Sequence, residues 1–555
     1  MANFIANTKP TFPVLLDDAG VSYLYQARLI LPTICILGPE LKMLDFFQGG
    51  GKTTEVMLVR LAERKLQRKQ TVIAKAISEK VVKKNPKNVK AKTIKGYAEL
   101  KDGDLDEAEQ TFHDLSKEEG KGEVLGKEGL SMVYAKKGQN DKALEVANEV
   151  EQEAAGRAYV HVVKGDILYS LDKKEEAEAE YKKAINKNSS ETYQKAVAYN
   201  KLGRIYASQG EYEKSRSLYD QAVAIDPYYI EATSNKGVTY EKEGDWDKAL
   251  EVYRKAQAID QNDTFVAVLA KKAQEMLILE QDIEKKNRID KLVKELADRY
   301  RGKLKTEKKI KDTWTSRPMV LSFVDFMESG GLTERDGFSM VLTTQLADQL
   351  NASGRIQVVE RVLIDRLLEE LNIGSSELAD PATALKLGKV LAAKLISTGS
   401  IYHLPNGSLL SLRLIDTETS AIPKVVNRQL ASGMSLKKDL HQLNREILTT
   451  IILNYPLQAY VVKVTGQQAL LNLGSRQGVV LGTKFNVIEE SKPIEYKGKK
   501  LYSEPSIVAQ VEVTKVEPDF CYGNIKNQTR LVKRDDKLEE NIDDLTVKTK
   551  GHVVQ

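Results

Sequence analysis

Gly49-Gly50-Gly51-Lys52-Thr53-Thr54 comes nearest, in this 555-residue chain, to a site for chemistry. Glycines ahead of a Lys-Thr pair can curl the backbone round a phosphate and aim the lysine at its oxygens. That wrap needs a further glycine where this chain has Phe46; no apolar strand leads in cleanly, and a helical repeat pattern follows. The run therefore reads as a flexible linker. None of the histidines (His113, His161, His403, His441, His552) has a second ligand at helical or strand spacing, and Cys35 and Cys521 lie in different regions. No metal site, disulfide framework or cofactor is expected. Asp325 and Asp416 end predicted strands, where catalytic carboxylates can sit, but no third polar residue pairs with either. Glu360-Arg361 follows a strand and reads as a buried ion pair that fixes a domain. No catalytic residue is assigned, and the chain is expected not to be an enzyme.

The remaining candidates bind rather than react. Asn200, Arg204, Ser208, Ser234, Val238 and Lys242 fall between the small residues of a recurring pattern. One copy reads Leu202-Gly203-x-x-Tyr206, Gly210, Ser215, Tyr219, Ala222, Pro227. It returns 34 residues later as Lys236-Gly237-x-x-Tyr240, Gly244, Ala249, Tyr253, Ala256. Weaker copies carry Gly165, Ala177, Tyr181 and Ala184; Tyr134, Gly138, Ala143 and Ala147; and Gly96, Gly103, Ala108 and Phe112, with a degenerate one over Glu55 to Asn88. This spacing resembles the tetratricopeptide repeat, a helical hairpin that stacks into a superhelix with a concave groove. Small residues let the two helices touch, and the aromatics are expected to fill the gap to the next hairpin. The six named positions line the groove, where Asn200 and Arg204 can hold main-chain or carboxylate groups of a protein partner. Their joint replacement by alanine is expected to abolish capture and leave the melting curve nearly unchanged.

Composition narrows the partner class. With 84 basic against 79 acidic residues the chain has no electrostatic footprint for nucleic acid. It has no run of about twenty apolar residues to cross a membrane as a helix. The first apolar run, Leu29 to Leu37, follows Arg28 and contains Pro32-Thr33-Ile34-Cys35. Pro32 and Ile34 spoil a lipoprotein box, so residues 1–54 read as a weak, late export segment and stay unassigned.

Beyond Asp260 the repeat stops. Asp263 to Ala273 is predicted as a capping helix, and the charged stretch to residue 316 as a solvated connecting helix. From Met319 strands and helices alternate: a strand to Phe326, a helix Glu334 to Leu350, a strand Arg355 to Val359, and a helix Val362 to Leu371. A helix opened by Asp380-Pro381 follows, then strands Leu395 to Tyr402 and Leu409 to Asp416, and a helix Leu436 to Leu453. That order predicts a layered α/β domain with a mixed sheet. Val358-Val359-Glu360-Arg361, Asp380-Pro381-Ala382-Thr383-Ala384, Leu387-Gly388, Ser397-Thr398-Gly399-Ser400 and Arg413-Leu414-Ile415-Asp416-Thr417-Glu418-Thr419 occur in that order. Together they resemble the CsgG family, named for the outer-membrane curli secretion channel. The resemblance implies a periplasmic or outer-membrane-associated protein of envelope assembly. The channel's spanning hairpins are insertions in this domain, and the short Pro405-Asn406-Gly407 connection leaves no room for one here. An adaptor is therefore expected, with a pore-forming secretion channel as the alternative.

Leu457 to Lys537 has the period of strands with glycines at turn intervals, predicting a barrel of five or six strands. Leu473-Gly474-x-x-x-Gly478-Val479-x-x-Gly482-x-x-Phe485-x-Val487 resembles the small C-terminal module of FlgT. The expected organisation is 55–273 repeats, 274–316 connecting helix, 317–455 CsgG-like domain, 456–537 barrel and 538–555 tail. The expected partners are proteins in the groove and an envelope assembly complex; association with further copies of the chain is left open.

Overall fold

The computed structural model describes residues 33–37, 43–48, 52–187, 193–303, 312, 314–405, 407–430, 435–490, 494–496, 499–501 and 505–542. The chain divides into two compact units, Met1–Ala155 and Gly156–Gln555.

In the first unit, β1 (Thr33–Leu37) pairs antiparallel with β2 (Met43–Gln48). The expectation that no strand precedes the glycines is thus corrected: β2 runs up to them, and helix α1 (Lys52–Gln67) starts at Lys52. An antiparallel pair is nevertheless unlike the parallel sheet on which phosphate loops sit. Gly49–Gly51 lie outside the described residues. Three helical hairpins follow: α1 with α2 (Thr71–Lys84), α3 (Val89–Asp102) with α4 (Leu105–Ser116), and α5 (Lys121–Lys136) with α6 (Asn140–Glu153).

The second unit opens with three more: α7 (Tyr159–Ser170) with α8 (Lys174–Asn186), α9 (Tyr193–Ser208) with α10 (Tyr212–Ile225), and α11 (Ile230–Lys242) with α12 (Trp246–Ile259). The repeat spacing has one direct cause. A Cβ on Gly203 would lie 2.6 Å from the Tyr219 ring, and one on Gly237 only 2.3 Å from Tyr253. Each tyrosine is fully buried against the glycine of its own hairpin, rather than in the gap to the next as expected. Phe112 does both: Cβ atoms on Gly96 and on Gly129 of the next hairpin would both meet its ring.

Helix α13 (Thr264–Gln281) caps the last hairpin and ends at Asp282, whose side chain accepts from Lys285 N to start α14 (Ile283–Tyr300). The predicted solvated connector is corrected here. Val293, Leu296 and Ala297 of α14 are buried with Ile364, Leu367, Ala384 and Leu387 in the core of the α/β domain. Its charged face is solvated and its apolar stripe is a structural layer.

That domain contains β3 (Val320–Phe323), β4 (Met327–Gly330), α15 (Phe338–Ala352), β5 (Gln357–Val358), α16 (Arg361–Leu371), α17 (Ser375–Leu378) and α18 (Pro381–Val390). β6 (Leu395–Leu404), β7 (Gly407–Asp416), β8 (Lys424–Leu430) and α19 (Ser435–Asn454) complete it. The sheet order is β5-β3-β6-β7-β8, with β4 also on β6. β3, β4 and β5 pair in parallel and β6, β7 and β8 antiparallel, so the sheet is mixed as predicted. Alternation along the strands feeds two cores. Leu395 and Leu414 pack with α15 and α19 residues such as Leu346 and Ile447, while Ile396 and Ile415 face α14, α16 and α18. Asp380 caps α18 by accepting from Thr383 N, with Pro381 in the first turn.

β9 (Gln458–Thr465), β10 (Gln468–Leu471), β11 (Lys484–Glu489), the short pair β12 (Ile494–Tyr496) and β13 (Lys499–Leu501), β14 (Ser506–Val516), β15 (Cys521–Lys526) and β16 (Lys537–Glu540) follow. Six of them close a barrel in the order β10-β15-β14-β11-β16-β9. Residues 538–540, expected as tail, are therefore barrel strand.

Candidate functional site

The predicted helix Glu334 to Leu350 begins four residues late, and those four residues make the site. Gly337, at φ +84°, sits in the left-handed region that glycine adopts at little cost, and α15 starts only after it. Leu332, Thr333, Glu334, Arg335 and Asp336 are thereby left in a loop between β4 and α15. That loop lies in the groove of the second unit's repeats.

The groove side chains come from the first helices of two hairpins. On α9, Asn200 Nδ2 donates to the Glu334 carbonyl at 3.1 Å and Lys201 Nζ to the Leu332 carbonyl at 2.6 Å. Arg204 donates from Nε to Asp336 Oδ1 at 2.9 Å, from Nη1 to Thr333 Oγ1 at 2.8 Å, and also to the Thr333 carbonyl. On α11, Asn235 Nδ2 donates to the Glu334 carbonyl and to Asn200 Oδ1, each at 2.9 Å, while Asn235 Oδ1 accepts from Asp336 N at 3.0 Å. Tyr229, just before α11, donates its hydroxyl to Glu334 Oε2 at 2.8 Å. Arg335 turns the other way onto Asp263, the cap of α13, in a two-pronged pair at 2.8 and 2.7 Å.

Burial sets the electrostatics. The Lys201 side chain is 4% exposed, with Asp166 at 3.2 Å and Glu334 at 3.4 Å. Burial alone would lower its pKa, but the two carboxylates raise it above the ordinary lysine value. Arg204 behaves alike: burial opposes its charge and Asp336 restores it. Two buried cations are thus kept charged by carboxylates, one of them on the loop for each.

Of the six predicted groove residues, Asn200 and Arg204 converge on the loop and four do not. Ser234 donates to Glu231 O in its own helix, and Ser208 does the same to Ile205 O in an exposed position. Val238 is core, packed with Ala249, Tyr253 and Met340, and Lys242 is exposed. Spacing did not single out Lys201, Tyr229, Asn235 or the loop itself. The usable signal was Gly330-Gly331 and Gly337 bracketing the charged triplet Glu334-Arg335-Asp336.

Beside the loop, α15 packs Met340 and Val341 against Val266, Leu269 and Ala270 of α13. A charged chain crosses the same seam. Lys272 lies 2.6 Å from Glu241 and 3.6 Å from Asp365, Asp365 lies 2.7 Å from Arg361, and Arg361 pairs with Asp325. Arg361 was expected to pair with Glu360; its partners are Asp325, just beyond β3, and Asp365, one turn further along α16. Burial pushes the Asp325 carboxyl up and the Arg361 guanidinium more than offsets this, so its pKa lies below the usual value.

The other singled-out residues are held structurally. His403 Nε2 is 2.8 Å from Glu328 and its Nδ1 2.9 Å from Ser408 Oγ. His161 Nδ1 is 2.7 Å from Glu180. Asp416 accepts from the Tyr455 hydroxyl at 2.8 Å and from Thr419 N at 2.8 Å, with Lys394 at 3.1 Å. Cys521 is buried in the barrel, which pushes its thiol up to about 12 and leaves it protonated. Among the described residues no group of three or more His, Cys, Asp or Glu side chains is placed to hold a metal ion. Nor is any described helix long and apolar enough to cross a membrane.

Fold and site define a helical-repeat protein whose groove receives a loop of an attached α/β domain. Residues 57–199 match the tetratricopeptide repeat-like domain, 194–262 the tetratricopeptide repeat, and 325–406 the curli production assembly/transport component CsgG. The chain is a tetratricopeptide-repeat protein with a CsgG-family domain. No curated protein sequence matches it. Among solved structures it is similar to MamA, at 27% identity over 30% of this chain and 94% of that one, with a TM-score of 0.24. It is similar to PilW, described as a widely conserved type IV pilus biogenesis factor, at 17% identity over 44% of this chain and 93% of that one, with a TM-score of 0.24. With the APC/C hetero-tetramer Cut9-Hcn1 it shares 15% identity over 40% of this chain, at a TM-score of 0.31, and spans only 42% of that chain.

Proposed function

We propose that this protein is a non-enzymatic scaffold or adaptor of the bacterial envelope. It captures proteins through its repeats and takes part, through the CsgG-family domain, in envelope assembly or curli-like secretion. The proposed location is the periplasm, in association with an outer-membrane complex. The observation that carries this reading is the joining, in one chain, of helical repeats with a domain matching the curli assembly/transport component. The groove adds support, because its side chains already grip a protein segment by carbonyls and carboxylates. Fractionation of the native host tests the location: recovery with the envelope is expected, and recovery in the cytoplasm alone overturns it. Detergent extracts are expected to contain no conducting ring; bilayer conductance would favour a secretion channel instead.

A further inference from the structure

The loop in the groove raises a question the repeats alone do not: what would hold the groove cations if the loop left? Lys201 and Arg204 are 4% and 10% exposed at the side chain. Without the loop, Lys201 would keep Asp166, and Arg204 would lose both Asp336 and the Thr333 carbonyl. The loop itself covers these side chains, so its departure exchanges their bonds for water, and Glu334 and Asp336, 48% and 25% exposed in place, are rehydrated likewise. The contact is therefore a set of polar bonds that a second acidic segment can take over. Exchange of one acidic segment for another conserves every groove bond, whereas vacating it does not.

We propose that Leu332–Asp336 is the chain's own occupant of the repeat groove, and that the partner segment taken up there is an acidic stretch carrying two carboxylates two residues apart, which replaces the loop. This rests on the reading of the repeats as a protein-capturing groove and adds the chemistry of what is captured. Asn200, Lys201 and Asn235 read main-chain groups ahead of and between the two carboxylates, so the ligand is a polypeptide and not a free dicarboxylate. The groove opens only to a segment that outcompetes a tethered rival, which confers selectivity through the rival's effective concentration.

The test uses the full-length chain and a labelled peptide of residues 327–341 as the probe. Glu334→Gln with Asp336→Asn in the protein weakens the built-in occupant. This variant is expected to bind the peptide about tenfold or more tightly than the parent chain, because the fraction with an accessible groove rises. The same peptide with Gln and Asn at those two positions is expected not to bind, and adding Arg204→Ala to the protein is expected to remove binding. Equal binding of the acidic and amide peptides, or none by a folded variant, overturns the proposal. Should the variant misfold, hydrogen exchange on the parent chain decides. Millimolar acidic peptide is expected to speed exchange at the Asp336 amide, and unchanged protection overturns the proposal. Envelope fractionation plays no part in these readouts, so the location can fail while the groove chemistry stands.

Discussion

Two seams join the domains of the second unit, and they differ in how closely the two backbones approach. Where the repeats meet the α/β domain, side chains of α9 and α11 hold a loop. Where the α/β domain meets the barrel, most contacts involve main chain. Ser316 N donates to Gln458 O at 2.9 Å and Gln458 N to Ser316 Oγ at 2.8 Å. Trp314 Nε1 donates to Ala459 O at 3.1 Å and Gln357 Nε2 to Arg476 O at 3.0 Å. At the centre Arg355, 6% exposed, donates to the Tyr455 carbonyl at 2.9 Å and to Glu540 at 2.7 Å. A Cβ on Gly478 would lie 2.6 Å from the Arg355 carbonyl, so the two backbones touch. Where backbones abut, as at Gly478, there is no room for a substitute ligand, whereas side chains that hold a loop can exchange its occupant. The first seam is suited to recognition and the second to rigidity.

The largest expected effect falls on the rigid seam. Arg355→Ala leaves the Glu540 carboxylate buried with only Leu457 N as a remaining described donor, and breaking a buried pair in this way costs about 3–5 kcal/mol. A denaturant midpoint that moves by less than half that would mean the seam tolerates water. At the other seam, Asn200→Ala with Arg204→Ala is expected to cost about 1–3 kcal/mol, since the freed carboxylates reach solvent. The melting curve is thus expected to shift, contrary to what spacing alone suggested, because both residues are already bonded to the loop. Faster hydrogen exchange over residues 331–337 should accompany the shift. An unmoved melt with unchanged exchange would dissolve the contrast between the seams. Away from both, Ala249→Leu should overpack a fully buried contact within its hairpin and cost about 1–3 kcal/mol. Exposed Lys248→Leu should stay within about 0.5 kcal/mol. Equal midpoints would misplace the repeat register.

What could be read from the residues divides along the same line. The hairpins were legible because Gly203 and Tyr219 must touch, and a contact that recurs every 34 residues writes itself into the spacing. The mixed sheet was legible because Leu395 and Ile396 feed opposite cores. The groove's occupant was not. Glu334 to Leu350 carries a helical pattern, and only the backbone angle at Gly337 shows that the helix starts late. α14 is hidden for a related reason: its few apolar positions look sparse beside so many charges, yet Val293, Leu296 and Ala297, with Ile289 and Tyr300 packed beside them, seat it on α16 and α18. β8 went unnoticed because its alternation is short and polar on one side. Nothing in the residue order pairs Arg204 with a residue 132 positions later.

Acid offers the finest probe of the rigid seam, through Tyr455. Its carbonyl accepts from Arg355 and its hydroxyl donates to Asp416, so the strand end of β7 and the barrel seam share one residue. Burial pushes the Asp416 carboxyl up, but the Thr419 amide, the Tyr455 hydroxyl and Lys394 together bring it down to about 2. A carboxyl depressed in the folded state stabilises it at pH values above its ordinary value of ~3.9, and that contribution fades as pH falls through about 2. Asp416→Asn keeps the shape and one acceptor but removes the charge, so near neutrality it should lower stability by about 1–2 kcal/mol. Glu418 still neutralises Lys394 at 2.9 Å, which keeps the loss small. The gap between variant and parent should stay constant from neutrality down to about pH 5 and narrow below it, closing towards pH 2. A gap that stays constant to pH 2 would mean that the hydrogen-bonding shape of Asp416, and not its charge, holds Tyr455 at the seam.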